Sequence, residues 1–480
     1  MLLSELLAGL CDVEVVNFRD CPVTDVDENS KRISRGAVFV ARRGVSYNGN
    51  DFIDEALLRG ACAVVTEERN TKSMSATLII SKNATKTMAE IANALYGDVL
   101  ADMTVIGITG TKGKTSTLKI LAECIAAKEK YYVTVGTLGV EIHASSNETY
   151  PTENTTPNSP FVYRMLKRAY RLGARIALIE VSSQALSEYR VYGIPFTVCI
   201  FTNISRDHIG VNEHKSFEDY LSAKRSLFID YRPKLAIVNA DDKSWNLVAD
   251  GCPRVIKVGS GCEFEYSLIR DTLLSTEFSL CGKRFTLSVG GEFNGINAAL
   301  ALVAASFILG ADVGEFADCL ENVSIPGRYE VYSLNGIKII IDFAHNGQSV
   351  SSLLSSVRQN TDGRIILVFG SVGERCHSRR AELASAAEKL ADVSVITSDN
   401  PGRESPEAIA GEIYAAFRDK AKAKIIVDRE KAILYALSLA KAADSVLLVG
   451  KGQENYQLTE KGKVYFSERD IIEKLGASKQ

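Results

Sequence analysis

The fold is decided by the stretch Val105-Ile106-Gly107-Ile108-Thr109-Gly110-Thr111-Lys112-Gly113-Lys114-Thr115-Ser116. The apolar run from Thr104 to Ile108 predicts a buried strand, and the spacing of Leu118, Leu121, Ala122 and Ile125 predicts a helix from Thr115 to Lys128. Gly110 and Gly113 predict a turn between these two elements. A strand, a glycine-rich loop and a helix in this order are typical of a phosphate-binding site.

The residues of this loop have distinct chemical roles in phosphate binding. Its glycines let backbone N–H groups approach phosphate oxygens, Lys114 can reach the outer phosphates, and the Thr115 hydroxyl can coordinate Mg²⁺. The spacing departs from G-x-x-x-x-G-K-[ST], because the first glycine of that pattern would fall at Ile108. The alternative interpretation is an ordinary glycine-rich turn between a strand and a helix.

Composition limits the class of protein. The chain has 480 residues, 46% hydrophobic and 24% charged, with a net charge of -3. This balance gives no electrostatic reason to expect nucleic acid or an anionic membrane as a partner. Since no apolar run approaches the length of a membrane span and no signal peptide is evident, we expect a cytoplasmic protein. We also expect a monomer. The ten cysteines form no C-x-x-C pair and are interpreted as reduced, small core residues.

The length predicts about three domains. Residues 1–87 mix short strands and helices without an acid-base or metal cluster, which favours a binding role. Residues 88–328 contain the phosphate loop. Residues 329–480 alternate predicted strands and helices, which is typical of a parallel, doubly wound Rossmann-like sheet. Because no second phosphate loop is present there, this domain is expected to bind a second substrate.

Polar residues follow several apolar strands in the central segment. Glu180 follows Ile176 to Ile179, and His208 lies beyond the strand from Val198 to Phe201. Because ligands bind at the carboxyl ends of strands in such sheets, both side chains are expected near Lys114. The alternatives are a helix cap for Glu180 and an ordinary loop position for His208.

Two helices in the same segment carry further candidates. Lys224 lies on a predicted helix with Leu221 and Phe228 on the apolar side, and a solvated surface lysine is the alternative. Asn294 and Asn297 are three residues apart on one face of an alanine-rich helix, where they either bind a base or cap the helix.

Six motifs together resemble the Mur ligases, the ATP-dependent amino acid ligases of peptidoglycan assembly. They are Gly110 to Thr115, Glu180 to Ser183, Asn203 to His208, Ala223-Lys224, Gly327 to Glu330 and Asp342 to His345. Three others, Asn154 to Pro157, Ser398 to Pro401 and Gly450 to Gly452, are similar to the members that add the third peptide residue. The resemblance implies an N-terminal domain for a UDP-sugar, a central P-loop ATPase domain and a C-terminal domain for the amino acid.

The resemblance also implies roles for individual residues. Lys114 would hold the transferred phosphoryl group, with Gly110, Thr111, Lys112, Gly113, Thr115 and Ser116 completing the phosphate loop. Thr115 and Glu180 would bind one Mg²⁺, and His208 with a CO₂-carbamylated Lys224 a second. Further ATP contacts would be Asn294, Arg328 and Asp342. The muramoyl dipeptide would contact Thr155, Thr156, Ser182 and Arg190, and the amino acid would contact Arg375, Asp399, Asn400, Arg403, Gly450 and Glu454.

Substrate identity is less constrained by the sequence than the ligase chemistry. Asn29-Ser30-Lys31 replaces the Asp-Ser-Arg that is usual near the uridine site, where Ser30 is the matching residue. Arg375 can pair with an α-carboxylate and Glu454 with a side-chain ammonium, which favours a diamino acid. Arginine follows Asp-Asn-Pro directly in diaminopimelate-selective members, whereas here Gly402 intervenes before Arg403. Lysine and meso-diaminopimelate therefore both remain open.

Two other functions compete with this hypothesis. One is a related ligase with another acceptor, such as a folylpolyglutamate synthetase, against which the motifs at Asn154 and Glu180 argue. The other is a non-catalytic partner subunit, against which the presence of Lys114, Thr115, Glu180, His208 and Lys224 argues.

Overall fold

The computed structural model describes residues 1–44, 47–69, 76–207, 209–210, 213–374 and 377–480. The described chain contains three large β-sheets, formed by strands within residues 13–81, 104–287 and 330–479. Helices pack against each sheet. The predicted α/β class with three domains is confirmed. The predicted boundary between the first two domains, at residues 87 and 88, lies inside a helix that begins at Ala84. This domain boundary stays a prediction.

The N-terminal sheet has the order β1-β5-β4-β3-β2, with β1 antiparallel to β5 and the other neighbours parallel. Its strands are β1 (Val13–Val16), β2 (Asp25–Asp27), β3 (Ala37–Ala41), β4 (Ala63–Thr66) and β5 (Thr77–Ser81). Its helices are α1 (Leu3–Ala8), α2 (Ile53–Leu58) and the 3₁₀ turns Ser30–Arg32 and Gly49–Phe52. Helix α3 (Ala84–Tyr96) packs against β2 to β5 and leads into the central segment.

The central sheet places the phosphate-loop strand β6 (Thr104–Thr109) between β10 (Ile176–Glu180) and β11 (Val198–Phe201), both parallel to it. The remaining strands are β7 (Tyr132–Gly136), β8 (Gly139–His143), β9 (Glu148–Tyr150), β12 (Leu235–Asn239), β13 (Val255–Gly259), β14 (Phe264–Asp271), β15 (Thr276–Leu280) and β16 (Lys283–Leu287). The helices are α4 (Lys114–Ala126), α5 (Ser159–Arg171), α6 (Ser183–Ser187), α7 (Phe217–Ile229), α8 (Trp245–Ala249), α9 (Glu292–Leu309) and α10 (Ala317–Leu320), with 3₁₀ turns Gly97–Asp102 and Val313–Phe316. Because the two outer groups of strands are antiparallel, the sheet is mixed at its edges.

Helix α9 is the one described helix that is long and apolar enough to cross a membrane by length and composition. Its 18 residues have a mean hydropathy of 1.5, and 61% of them are buried inside the protein. Ala298 to Ala305 pack into the core between α4 and the central sheet. Burial in this core accounts for the apolar composition of the helix.

The C-terminal sheet has the order β21-β20-β19-β22-β18-β17-β25, and its first five strands are parallel, as the doubly wound prediction requires. The strands are β17 (Glu330–Leu334), β18 (Ile337–Asp342), β19 (Ile365–Phe369), β20 (Val393–Ile396), β21 (Ala423–Ile425), β22 (Ser445–Val449), the hairpin β23 (Tyr456–Thr459) and β24 (Gly462–Tyr465), and β25 (Ser478–Lys479). The helices are α11 (Gly347–Gln359), α12 (Ser378–Leu390), α13 (Pro406–Ala416), α14 (Arg429–Leu439), α15 (Glu468–Lys474) and the 3₁₀ turn Lys420–Lys422.

The N-terminal sheet is joined to the central segment by Arg164 on α5. Its guanidinium donates to both oxygens of Asp25, at 2.9 and 2.8 Å, and to Asp27 at 2.9 Å. Asn158 at the start of α5 also donates to Glu28 at 2.8 Å. These contacts fix the N-terminal sheet beside the loop that carries Thr155 and Thr156.

The interpretation of the cysteines as core residues holds for part of them. All nine that the structure describes are free, and Cys124 and Cys199 are buried. Four more pack partly buried against the hydrophobic core, namely Cys21, Cys62, Cys252 and Cys319, whereas Cys11 and Cys281 are exposed. A cysteine tolerates partial exposure when its thiol remains reduced, so residue type alone did not fix its position.

Candidate active site

The phosphate loop is shaped by two glycines with positive φ angles, Gly110 at 155° and Gly113 at 84°. A side chain at Gly110 would lie 1.9 Å from the Thr202 hydroxyl, and one at Gly113 would lie 2.4 Å from Oδ1 of Asn297. Only glycine fits both the conformation and the space. Helix α4 begins directly after the loop at Lys114, so its N-terminal N–H groups face the position where phosphates bind in such loops.

Two lysine side chains converge on one carbonyl of this loop. Nζ of Lys114 donates to Gly110 O at 2.9 Å and to Thr111 O at 3.2 Å, and Nζ of Lys224 donates to Gly110 O at 2.9 Å. Lys224 is 1% exposed, so the alternative of a solvated surface lysine is wrong. Burial lowers the pKa of Lys114 to about 8 and lowers the pKa of Lys224 well below its ordinary value. Lys114 therefore supplies a cation for phosphate oxygens near neutral pH, whereas the Lys224 amine beside it is favoured in its neutral form.

Glu180 is the carboxylate opposite these lysines. It is 1% exposed and accepts hydrogen bonds from the Thr115 hydroxyl at 2.9 Å, the Thr137 N–H at 2.8 Å and the Thr137 hydroxyl at 3.1 Å. A hydroxyl and a carboxylate beside a phosphate loop are the oxygen ligands that Mg²⁺ prefers. The predicted approach of Glu180 to Thr115 is thus observed. His208, the other predicted ligand at this edge, lies outside the described residues.

The four residues predicted to hold the muramoyl dipeptide are linked to Glu180 directly or through a neighbouring threonine. The Thr156 hydroxyl donates to the Glu180 carbonyl at 2.7 Å and accepts from the Ser182 N–H at 3.0 Å, and Arg190 donates to the Thr156 carbonyl at 2.8 Å. The Thr155 hydroxyl is 3.1 Å from that of Thr137. Ser30 lies apart from them in the N-terminal domain, where it donates to Glu55 at 2.7 Å.

The remaining predicted ATP residues extend from the phosphate loop to the C-terminal domain. Asn294 is buried and donates to the Gly290 carbonyl at 2.8 Å, and the neighbouring Asn297 borders Gly113. The Arg328 guanidinium stacks on Phe343 at 4.3 Å, and burial lowers its pKa. Asp342 accepts from the N–H groups of Tyr329 at 2.8 Å and Ala344 at 2.7 Å, while burial raises its pKa.

Asp207 joins the phosphate loop to the C-terminal domain. It accepts from Lys112 at 3.0 Å, from Asn346 at 2.7 Å and from Arg379 on α12 at 3.0 Å. Three donors from two domains therefore share one buried carboxylate. Asp207 belongs to the motif from Asn203 to His208, but its role was not predictable from that motif, because only the tertiary fold brings Asn346 and Arg379 to it.

The C-terminal strand ends carry a second charged cluster. Lys451 is fully buried and donates to Asn400 Oδ1 at 2.7 Å and to Glu454 Oε2 at 2.9 Å, and the Asn400 amide also donates to Glu454 at 2.8 Å. Asp399 is 1% exposed, and within the described chain neither of its carboxylate oxygens has a hydrogen-bond donor. Its nearest charge is the Lys451 ammonium, 3.8 Å from Oδ1, so Asp399 has an ion-pair partner and keeps unused hydrogen-bond acceptors.

The other predicted residues of this region have different outcomes. Gly450 packs directly on Asp399, since a side chain there would lie 2.6 Å from Oδ2. Arg403 is exposed and follows Gly402, whose φ is 61°. Arg375 lies outside the described residues. Lys451 is a functional candidate that sequence reasoning missed, although it stands within the quoted Gly450 to Gly452 motif.

A phosphate loop with a carboxylate and a hydroxyl beside it indicates a P-loop nucleotide-binding protein, here with a separate domain that carries its own polar cluster. Three family descriptions match the chain in order: the Mur ligase family catalytic domain over residues 23–100, the Mur ligase middle domain over 108–305 and the Mur ligase glutamate ligase domain over 327–452. The UDP-N-acetylmuramoyl-L-alanyl-D-glutamate–2,6-diaminopimelate ligase of Aquifex aeolicus is 34% identical over 466 residues, which cover 94% of this chain and 93% of the relative. The chain belongs to the Mur ligase family.

Solved structures agree with this assignment. A UDP-N-acetylmuramoyl-L-alanyl-D-glutamate–2,6-diaminopimelate ligase superposes with a TM-score of 0.63 at 26% identity, covering 95% of this chain and 94% of the other. The MurF ligase of Thermotoga maritima in complex with ADP gives a TM-score of 0.63 at 20% identity, covering 89% and 94%, and shows the shared fold. The predicted resemblance to the Mur ligases, and within them to members that add the third peptide residue, is confirmed, as is the class of nucleotide-dependent ligase.

Proposed function

We propose that this enzyme adds a diamino acid to UDP-N-acetylmuramoyl-L-Ala-D-Glu as the third peptide residue in peptidoglycan synthesis. ATP phosphorylates the acceptor carboxylate to an acyl phosphate, and the amine of the incoming amino acid displaces phosphate. The observation that carries the proposal is the convergence of Lys114 and Lys224 on Gly110, with Glu180 on the acceptor side. Cytoplasmic location and a monomeric state belong to the same proposal.

The acceptor is proposed to lie between Glu180 and the N-terminal domain. Thr156 bonds to the Glu180 carbonyl and links Ser182 and Arg190 to it, while Thr155 contacts Thr137. The Glu180 carboxylate in turn bonds to Thr115 at the end of the phosphate loop, which supports an acceptor carboxylate placed on this side. Ser30 stands in the N-terminal domain, which is proposed to hold the UDP-sugar. Asn158, which bonds to Glu28, couples the two regions.

Mg²⁺ is the cation proposed for this site. The oxygen ligands Thr115 and Glu180 fit a hard cation, and His208 with a carbamylated Lys224 is proposed for a second ion. Mg²⁺ bound there would neutralise the negative charge on the phosphoryl group during its transfer. Carbamylation needs a neutral amine, which the low pKa of buried Lys224 provides.

The amino acid is proposed to be meso-diaminopimelate. Its cationic groups match Asp399 and Glu454, Asn400 and Gly450 complete the site, and Arg375 is proposed to bind the α-carboxylate. Arg403 is proposed to bind the distal carboxylate, because the left-handed conformation of Gly402 redirects the chain before it. The names of the curated relatives, which specify 2,6-diaminopimelate, support this choice over lysine.

Steady-state kinetics with diaminopimelate and lysine test this choice. We expect wild type to prefer diaminopimelate and Arg403→Ala to lose at least about tenfold of that preference, because a charged, bidentate hydrogen bond contributes about 1.5–3 kcal/mol. Arg418→Ala, an exposed arginine elsewhere in the same domain, is the control and should keep the preference. Equal turnover of an amino acid without a side-chain amine would refute the diamino acid proposal.

Nucleotide binding is expected to depend on pH through Lys114. Burial lowers its pKa to about 8 in the free enzyme, and bound phosphates should raise this pKa because they bring negative charge. The complex then keeps a proton that the free enzyme loses, so ATP affinity should fall as the pH rises through about 8. Calorimetry in buffers of different ionisation enthalpy should show proton uptake by wild type above that pH and less uptake by Lys114→Met. If wild type takes up no protons on binding ATP above that pH, the expectation is contradicted.

A further inference from the structure

A buried ion pair lies beneath the C-terminal charged cluster. Arg429, the first residue of α14, and Glu468, the first residue of α15, have side chains that are 0% and 1% exposed. Nε and Nη2 of Arg429 both approach Glu468 Oε1, at 2.9 and 2.8 Å. The pair has no assigned role in the proposed reaction.

The guanidinium also connects two strand ends. Nη1 of Arg429 donates to the Ser398 carbonyl at 3.1 Å, and Nη2 donates to the Val449 carbonyl at 2.7 Å. These carbonyls directly precede Asp399-Asn400 after β20 and Gly450-Lys451 after β22. Strands β20 and β22 are not adjacent, because β19 lies between them in the sheet. The Arg429 side chain therefore fixes the separation of two loops that follow non-adjacent strands.

The separation of these loops determines the geometry of the cluster above them. Lys451 and Glu454 from one loop bond to Asn400 from the other, at 2.7 and 2.8 Å. Asp399 packs on Gly450 across the same gap. A shift of either loop would therefore move the amide and the carboxylates relative to one another.

Stability alone does not explain the pair. Removing two charges from water costs several kcal/mol each, and an apolar pair of similar volume is often as stable. Here the second oxygen of Glu468 has no hydrogen-bond donor within the described chain, and burial raises the pKa of this carboxyl. The ion pair of Arg429 and Glu468 is therefore explained better by the loops that it positions than by its contribution to the free energy of unfolding.

We propose that Arg429 is a positioning residue for the amino acid site. It holds the loops that begin at Asp399 and Gly450 at the separation that the diamino acid needs, and Glu468 holds the guanidinium in the orientation that reaches both carbonyls. This inference rests on the proposed function, in which these loops bind the amino acid.

The test compares Michaelis constants in wild type, Arg429→Lys and the double variant Arg429→Met with Glu468→Leu. The double variant removes both charges while keeping apolar volume, so it should remain folded. We expect the KM for the amino acid to rise at least about tenfold in both variants, while the KM for ATP stays within about twofold, because lysine cannot bond to both carbonyls and Glu468 together.

Arg364→Met is the control. Arg364 likewise bonds to a carboxylate, Asp444 at 2.8 Å, and to a carbonyl, Leu439 at 2.6 Å. It directly precedes β19, at the amino ends of the parallel strands, and its side chain is more exposed than that of Arg429. This variant should leave the KM for the amino acid unchanged. If the double variant folds and its KM for the amino acid is unchanged, the inference is overturned. If the double variant does not fold, an unchanged KM for the amino acid in Arg429→Lys would overturn it.

The same assay separates this inference from the proposed function. Wild type that turns over the amino acid supports the function, and the variants then decide the role of Arg429. Wild type without amino-acid-dependent turnover would instead overturn the function, and with it the premise of the inference.

Discussion

The Lys114→Ala enzyme is expected to lose at least about a thousandfold in kcat/KM for ATP-dependent ligation. Removing one group that stabilises developing charge lowers kcat by about 10²–10³-fold, and a lysine that contacts phosphate also contributes to binding of ATP in the ground state. In the structure Lys114 makes its two bonds to carbonyls of the phosphate loop itself, Gly110 and Thr111. The phosphate oxygens of ATP are better acceptors for an ammonium than these neutral carbonyls. The measurement is phosphate release with saturating acceptor and amino acid.

Lys119→Ala is the control for this prediction. Lys119 lies on the same helix, where it pairs with Glu123 at 3.5 Å on a partly exposed face. Its loss should change activity by less than about twofold, because such pairs contribute little. Thermal unfolding of both variants should stay close to wild type. Lys114→Ala activity within tenfold of wild type would exclude this lysine from phosphoryl transfer.

Replacing Lys224 is expected to have the second-largest effect. Lys224→Ala should lower kcat by at least about a hundredfold, as expected for the loss of one preorganised charged group. Lys224→Arg should be no better, because a guanidinium stays protonated and does not react with CO₂. If the carbamate is the active form, removing CO₂ from wild-type buffer should lower activity and added bicarbonate should restore it.

Carbon-13 NMR gives a direct test of the modification. The neutral Lys224 amine attacks CO₂, a nitrogen–carbon bond forms and one proton is released, so ¹³C-bicarbonate should produce one carbamate signal that is absent in Lys224→Ala. Full activity of Lys224→Ala, or an unmodified lysine in a well-ordered crystal structure of active enzyme, would contradict the hypothesis.

Most of the architecture was predictable from local patterns. The strand before the phosphate loop, the helix after it and the alternating strands of the C-terminal domain follow from apolar runs that are buried on both faces. The edges were less predictable. Strand β25 has two residues and pairs with β17, and the edge strand β21 has only three, Ala423–Ile425. Such short edge strands are determined by their neighbours and not by their own sequence.

The site shows the same division between local and tertiary information. Glu180 was predictable because a polar residue follows a buried strand. Helical spacing alone left the position of Lys224 open, because it does not reveal which element covers a helix face. The family resemblance implied a place in the site, and in the structure the phosphate loop covers this lysine. Asp207 and Arg429 were not predicted, since each acquires its role from partners that are distant in sequence.

The most direct test of the account is product analysis by mass spectrometry. Purified enzyme is incubated with ATP, Mg²⁺, UDP-N-acetylmuramoyl-L-Ala-D-Glu and meso-diaminopimelate, and each component is omitted in turn. The account predicts one product whose mass is the sum of acceptor and amino acid minus one water, formed with one ADP per product and only in the complete mixture. ADP formation without this product in the complete mixture, or product formation without ATP, would contradict it.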